Sequence, residues 1–95
     1  IAAHVHNPVK REVHYTKEAL VIRKGKLRVD FYDNTHKYIE SHIITAGDVI
    51  LLTDGGHGFK VIEDIEMIEI KQGPYAGDGD KTRFESVDDE DVKIE

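Results

Sequence analysis

The sequence has no cysteine. That excludes disulfides and thiolate metal sites, and it fits a cytoplasmic protein. Tryptophan is absent and there are only two prolines. No apolar run approaches the roughly 18 residues of a membrane-spanning helix. The opening Ile-Ala-Ala-His shows no charged segment followed by an apolar one, so no secretion signal is expected. Basic residues are also in short supply, 13 against 19 acidic ones, for a net charge of -6. Phosphate backbones need a basic patch, so nucleic acid is not an expected partner. No stretch carries helical periodicity long enough for a main helix.

What is present is alternation. Residues 1–11 hold His4, His6, Pro8, Lys10 and Arg11, and Pro8 limits them to an entry segment or an edge strand. After a break at Arg23-Lys24-Gly25-Lys26, Leu27, Val29 and Phe31 alternate with polar neighbours, as in a half-buried strand. Asp33-Asn34-Thr35-His36 is turn chemistry. Tyr38 to Thr45 returns as a strand, and Ala46-Gly47-Asp48 turns again. Val49-Ile50-Leu51-Leu52 reads as a strand buried on both faces. A tight turn at Thr53–Gly56 leads to two further strands, His57–Val61 and Ile65–Lys71, separated by a turn at Glu63-Asp64. Short strands at this spacing predict an antiparallel all-β sandwich or barrel. The domain is expected over residues 1–86, with an acidic tail over 87–95 that includes Asp88-Asp89-Glu90-Asp91.

One stretch concentrates the chemistry, Glu12 to Gly25. Read as a strand, it points Glu12, His14, Thr16 and Glu18 to one face, followed there by Leu20 and Ile22. Polar groups on a buried face need partners. Two carboxylates repel each other. A bound cation would resolve the conflict, and so would a hydrogen-bonded polar pocket.

These residues carry a resemblance to the cupins, small double-stranded β-helix or jelly-roll barrels. The first cupin motif runs Gly, His-x-His, three or four residues, Glu, six residues, Gly. Here Glu12-x-His14 is followed after three residues by Glu18 and after six more by Gly25. The second motif runs Gly, five residues, Pro-x-Gly, two residues, His, three residues, Asn. Here Gly47 is followed after five residues by Thr53-Asp54-Gly55-Gly56-His57. The chain departs from the pattern at Glu12, Thr53 and Val61, and it has one residue fewer before His57. The likeness spans residues 10–72. It implies a cupin barrel of antiparallel strands with His14, Glu18 and His57 at metal-ligand positions and Glu12 at the fourth.

Two imidazoles with carboxylates would take a divalent ion, Fe(II), Mn(II), Zn(II) or Ni(II). Glu12, if not a ligand, would be the general base. Lys71, Gln72 and Tyr75 end the last core strand, where Lys71 and Tyr75 are candidates for binding a substrate. Arg11 is a candidate anion contact, and His36 and His42 read as solvent-facing. Three functions follow: a metal-dependent enzyme on a small polar or sugar-like molecule, a non-catalytic module that binds or senses a small ligand, or a metal-free sugar isomerase or epimerase. Cupins commonly pair, and a small chain has little with which to cover its sheet edges, so a homodimer is expected.

Overall fold

Alternating apolar residues produce four strands in this structure, a computed structural model of residues 1–95. They are β1 (Glu18–Tyr32), β2 (Tyr38–Thr45), β3 (Val49–Leu52) and β4 (Gly56–Lys71), followed by two 3-10 turns at Gly77–Asp80 and Asp89–Asp91. The protein is all-β. No helix is long and apolar enough to cross a membrane.

β1 is central. It pairs antiparallel with β4 along its whole length, with β2 over Lys26–Tyr32, and with β3 over Glu18–Val21. The sheet is therefore a single open one, three strands wide, with β2 and β3 sharing one side of β1.

The sheet is folded double. His57 pairs in register with Phe31, thirteen residues along β1 from Glu18. In a flat strand that separation spans about 43 Å at about 3.3 Å per residue. Yet His57 Nε2 lies 3.7 Å from Glu18 Oε2. The crease falls where the β1–β4 register slips, between Ile22 and Leu27. Extra residues in one strand bend it and raise its twist. Gly25 sits in the crease at φ 92°. A Cβ there would stand 2.0 Å from the Asp64 carbonyl oxygen, so only glycine fits. The turn between β2 and β3 ties into the same place, where Gly47 N–H donates to the Ile22 carbonyl and Ile22 N–H to that of Asp48.

Two three-stranded leaves result. Leaf one combines β3, Glu18–Ile22 and the C-terminal half of β4. Leaf two combines β2, Leu27–Tyr32 and the N-terminal half of β4. Ile22, Leu27, Val29 and Ile44 form the core between them, with Ile50, Ile65 and Met67 packed against it. Only 11 of 95 residues are buried, so this core is thin.

The structure corrects several expectations. The strand expected from Glu12 begins at Glu18. Arg23–Lys26 does not break the chain into two strands, and Glu63-Asp64 does not separate two. Both are creases within long strands, whose bulges read locally as turns. Val49–Leu52 is buried on one face only, since Val49 and Leu51 are exposed.

The acidic tail is docked on the outside of leaf two. Arg28 and Asp30 are buried there in a bidentate pair, Nε to Oδ1 at 2.8 Å and an outer guanidinium nitrogen to Oδ2 at 3.0 Å. Ser41 donates its hydroxyl to the same carboxylate. Arg28 reaches Asp89 at 3.0 Å, and Lys60 bonds Asp89 as well. The Ser41 N–H donates to the Lys93 carbonyl, and Glu95 N–H donates to that of Ser41. Val87 N–H donates to the Tyr32 hydroxyl, and Phe84 packs edge-on against Tyr32. Asp89 of the tail is thus paired with two cations of the sheet.

Candidate functional site

The fold brings opposite ends of β1 and β4 together at the open mouth between the leaves. Glu18 begins β1 with its side chain turned inward, in line with Leu20 and Ile22. Its register partner is Lys71, at the end of β4. His57, at the start of β4, arrives from the other leaf.

The Glu18 carboxylate, 11% exposed, lies between these two groups. Lys71 Nζ is 3.4 Å from its Oε1 and His57 Nε2 is 3.7 Å from its Oε2. Glu69 Oε1 lies 3.2 Å from Lys71 Nζ. The Lys71 ammonium is held above the ordinary lysine value, first by its hydrogen bond to Glu69 and then by the charge of Glu18. It is therefore a fixed positive charge at neutral pH.

These groups lie in a cleft of about 540 Å³. Its wall also includes Tyr32, Phe59 and Phe84, so aromatic surface borders the charged floor. Thr16 closes one side through a 2.7 Å hydrogen bond to Asp80. Gly55 makes the turn before His57 at φ 79°, where a Cβ would meet the Tyr32 carbonyl oxygen at 2.8 Å.

Of the four expected metal ligands, the structure brings two together, Glu18 and His57. Glu12 and His14 lie on the N-terminal segment with side chains 75% and 79% exposed, 3.7 Å from each other. The strand expected to aim them inward does not extend that far. Where a cation was expected to balance Glu18, the Lys71 ammonium stands. Two converging donors beside an ammonium do not fit a two-histidine, one-carboxylate metal face. The one group of three metal-capable side chains whose ligand atoms lie within 4.8 Å of one another is Asp88, Glu90 and Asp91, all exposed. Exposed acidic clusters of this kind commonly hold no ion.

Of the substrate candidates, Lys71 lines the cleft and Tyr75 does not. Tyr75 is 89% exposed beside a smaller neighbouring recess. Gln72 is structural, since its N–H donates to the Lys17 carbonyl and its side-chain oxygen accepts from Lys17 N–H. Arg11, His4 and His6 are exposed on the N-terminal segment. His42 is not free in solvent: it packs edge-on against Phe31 at 5.6 Å and lies 3.4 Å from Glu40. His36 stacks on Phe84 at 4.2 Å.

Sequence reading missed Glu69, the aromatic wall and the 80–86 segment. The signal for Glu69 was available, because it shares a strand face with Lys71. Nothing local indicates that Phe84 folds back over Tyr32. Set against known proteins, the chain matches no family model, no curated protein and no solved structure.

Proposed function

We propose that the cleft binds a small polar, hydroxylated molecule of sugar-like size, recognised by Glu18, His57 and Lys71. The observation that carries this reading is the convergence of those three side chains, from both leaves, in a cleft of about 540 Å³. Small-molecule sites typically occupy about 300–1,000 Å³ and combine apolar walls with a few aimed polar groups. Lys71 donates to a ligand carbonyl or carboxylate, Glu18 accepts from hydroxyls, and the faces of Phe59 and Phe84 meet the ligand's carbon skeleton. His57 beside a carboxylate has the composition of an acid–base pair, which also gives the site the means to move a proton to or from a bound ligand.

The fold assignment in this reading is a reduced double-stranded β-helix of the cupin kind. Its supports are the two facing leaves and the order of the motif residues Glu18, Gly25, Gly47 and His57. A second reading places a divalent ion, Fe, Mn, Zn or Ni, on Glu18 and His57. Their juxtaposition favours it, and it requires Lys71 to withdraw.

Nuclear magnetic resonance with a panel of sugars, sugar acids and polyols tests the first reading. Saturable shifts are expected at Glu18, His57 and Lys71, and they should vanish in Lys71→Met. A panel that leaves these signals unmoved overturns it. Adding Mn(II) tests the second: broadening centred on His57, reversed by chelator, supports the ion.

A further inference from the structure

The outer side of leaf one is an apolar ladder that nothing covers. Leu51, Ala19 and Ile70 lie in one row across the three strands, and Val49, Val21 and Ile68 in the next. Val49 is 66% exposed, Leu51 64%, Ile68 46% and Ile70 59%. The outer side of leaf two differs, since the segment from Val87 to Glu95 is docked across it. Scattered apolar side chains need no explanation, but contiguous ones mark interaction surfaces.

A second feature is equally open. Residues 1–17 form an arm outside every strand, with Ile1, Val5, Val9 and Val13 spaced four apart and all at least half exposed. The arm carries Lys10, Arg11 and Lys17 against Glu12 alone, a charge of +2, so the remaining residues carry -8 of the chain's total of -6. An apolar, basic arm and an apolar face on an acidic body are complementary.

The arm does not reach the ladder of its own chain. Its root is fixed on the cleft side of leaf one, where Thr16 bonds Asp80 and Lys17 Nζ donates to the Thr53 carbonyl at 2.8 Å. Tyr15 and Thr16 line the cleft. The ladder is on the opposite side of the leaf.

We propose that the arm of one copy lies across the Val49–Leu51–Ile68–Ile70 face of a second copy, and that the exchange is reciprocal about a two-fold axis. Such an isologous arrangement covers both faces with one set of contacts. The unpaired edges of β3 and β4 border that face and offer the incoming arm backbone partners. The proposal goes beyond the cleft's role and is independent of what the cleft binds.

Sedimentation of the full chain, together with a spin-label experiment, tests it. The absence of cysteine allows one nitroxide to be placed cleanly, on Val5→Cys. Unlabelled chains carrying the nitroxide are mixed one to one with nitrogen-15-labelled wild type. The mass should be twice 10.8 kDa. The amides of Val49, Leu51, Ile68 and Ile70 in the labelled copy should broaden, and those of the tail on leaf two should not. Leu51→Asp should return the mass to that of one chain, and so should the pair Val5→Asp and Val9→Asp, with unchanged far-ultraviolet circular dichroism. A wild type that sediments as a single chain overturns the proposal. So does a dimer whose broadening lies elsewhere. A dimer lost in Leu51→Asp but kept in the arm variant shows that two ladders pack directly, and it overturns the arm exchange.

Discussion

Gly25 faces the main chain of Asp64 so closely that a β-carbon on it would stand 2.0 Å from the Asp64 carbonyl oxygen. The two residues are the hinge about which the sheet doubles over. Gly25→Ala adds both that clash and a side chain at positive φ. A loss of about 3 kcal/mol is expected, at the upper end of the usual cost of such a backbone position. Because a small domain has about 5–15 kcal/mol in all, urea unfolding should show a much lower midpoint. An unchanged midpoint would mean that the crease is not needed for folding.

Asp30 is the only acidic partner of Arg28 within the sheet, and both side chains are at most 10% exposed. Asp30→Ala leaves a buried guanidinium with Asp89 alone and should cost about 3–5 kcal/mol. Replacing the pair, Arg28→Met with Asp30→Leu, should recover most of that loss. The recovery distinguishes a stranded charge from lost packing.

Tail docking should fail in acid. The Asp89 carboxyl is held below the ordinary carboxylate range by Lys60 first and by Arg28 second. A lowered folded value means a contribution fully present above the unfolded value, about pH 4, and lost as pH falls through the folded one. Hydrogen exchange should show the Glu95 and Val87 amides losing protection as pH falls below about 4, before the Leu20 and Val29 amides of β1. Simultaneous loss at all four would show that the tail and sheet unfold together.

The Lys71 ammonium answers to the opposite end of the pH scale. Its raised value comes first from Glu69 and then from Glu18. The contribution of this pairing is present at neutral pH and is lost as pH rises through the raised value, above about 10.4. Glu69→Gln and Glu18→Gln should each lower the Lys71 titration point. Carbon-13 shifts at the lysine Cε report both. Equal points in wild type and both variants would remove the charge cluster from the cleft floor.

His57→Ala removes the only cleft-floor group supplied by leaf two. Ligand shifts at Lys71 should weaken at least tenfold in apparent affinity, equivalent to about 1.4 kcal/mol. His14→Ala, on the exposed arm, should leave them unchanged. A loss of binding in His14→Ala would show that the arm folds over the cleft in the complex.

Much of the strand pattern was legible locally. Side-chain alternation at Leu27–Phe31 and the turn chemistry at Asp33–His36 and Ala46–Asp48 depend on neighbours in sequence, and the structure keeps them. So does the inward face of Glu18, Leu20 and Ile22. The start of β1 was misplaced because alternation from Glu12 onward satisfies a strand pattern without any partner strand to pair with. The partners of β1 end at Leu52 and Lys71, opposite Glu18.

The amino-acid order by itself determined an all-β chain with no disulfide, and it singled out Glu18, His57 and Lys71 as chemistry-bearing residues. It also supplied a glycine where the sheet folds. Only the tertiary structure decided that Glu18 meets His57 and Lys71 rather than Glu12 and His14. That choice depends on a crease that closes a span of about 43 Å along β1, and no local pattern encodes such a closure. The docking of the acidic tail is decided at the same level, because Asp89 finds Arg28 and Lys60 on two different strands that only the folded sheet places side by side.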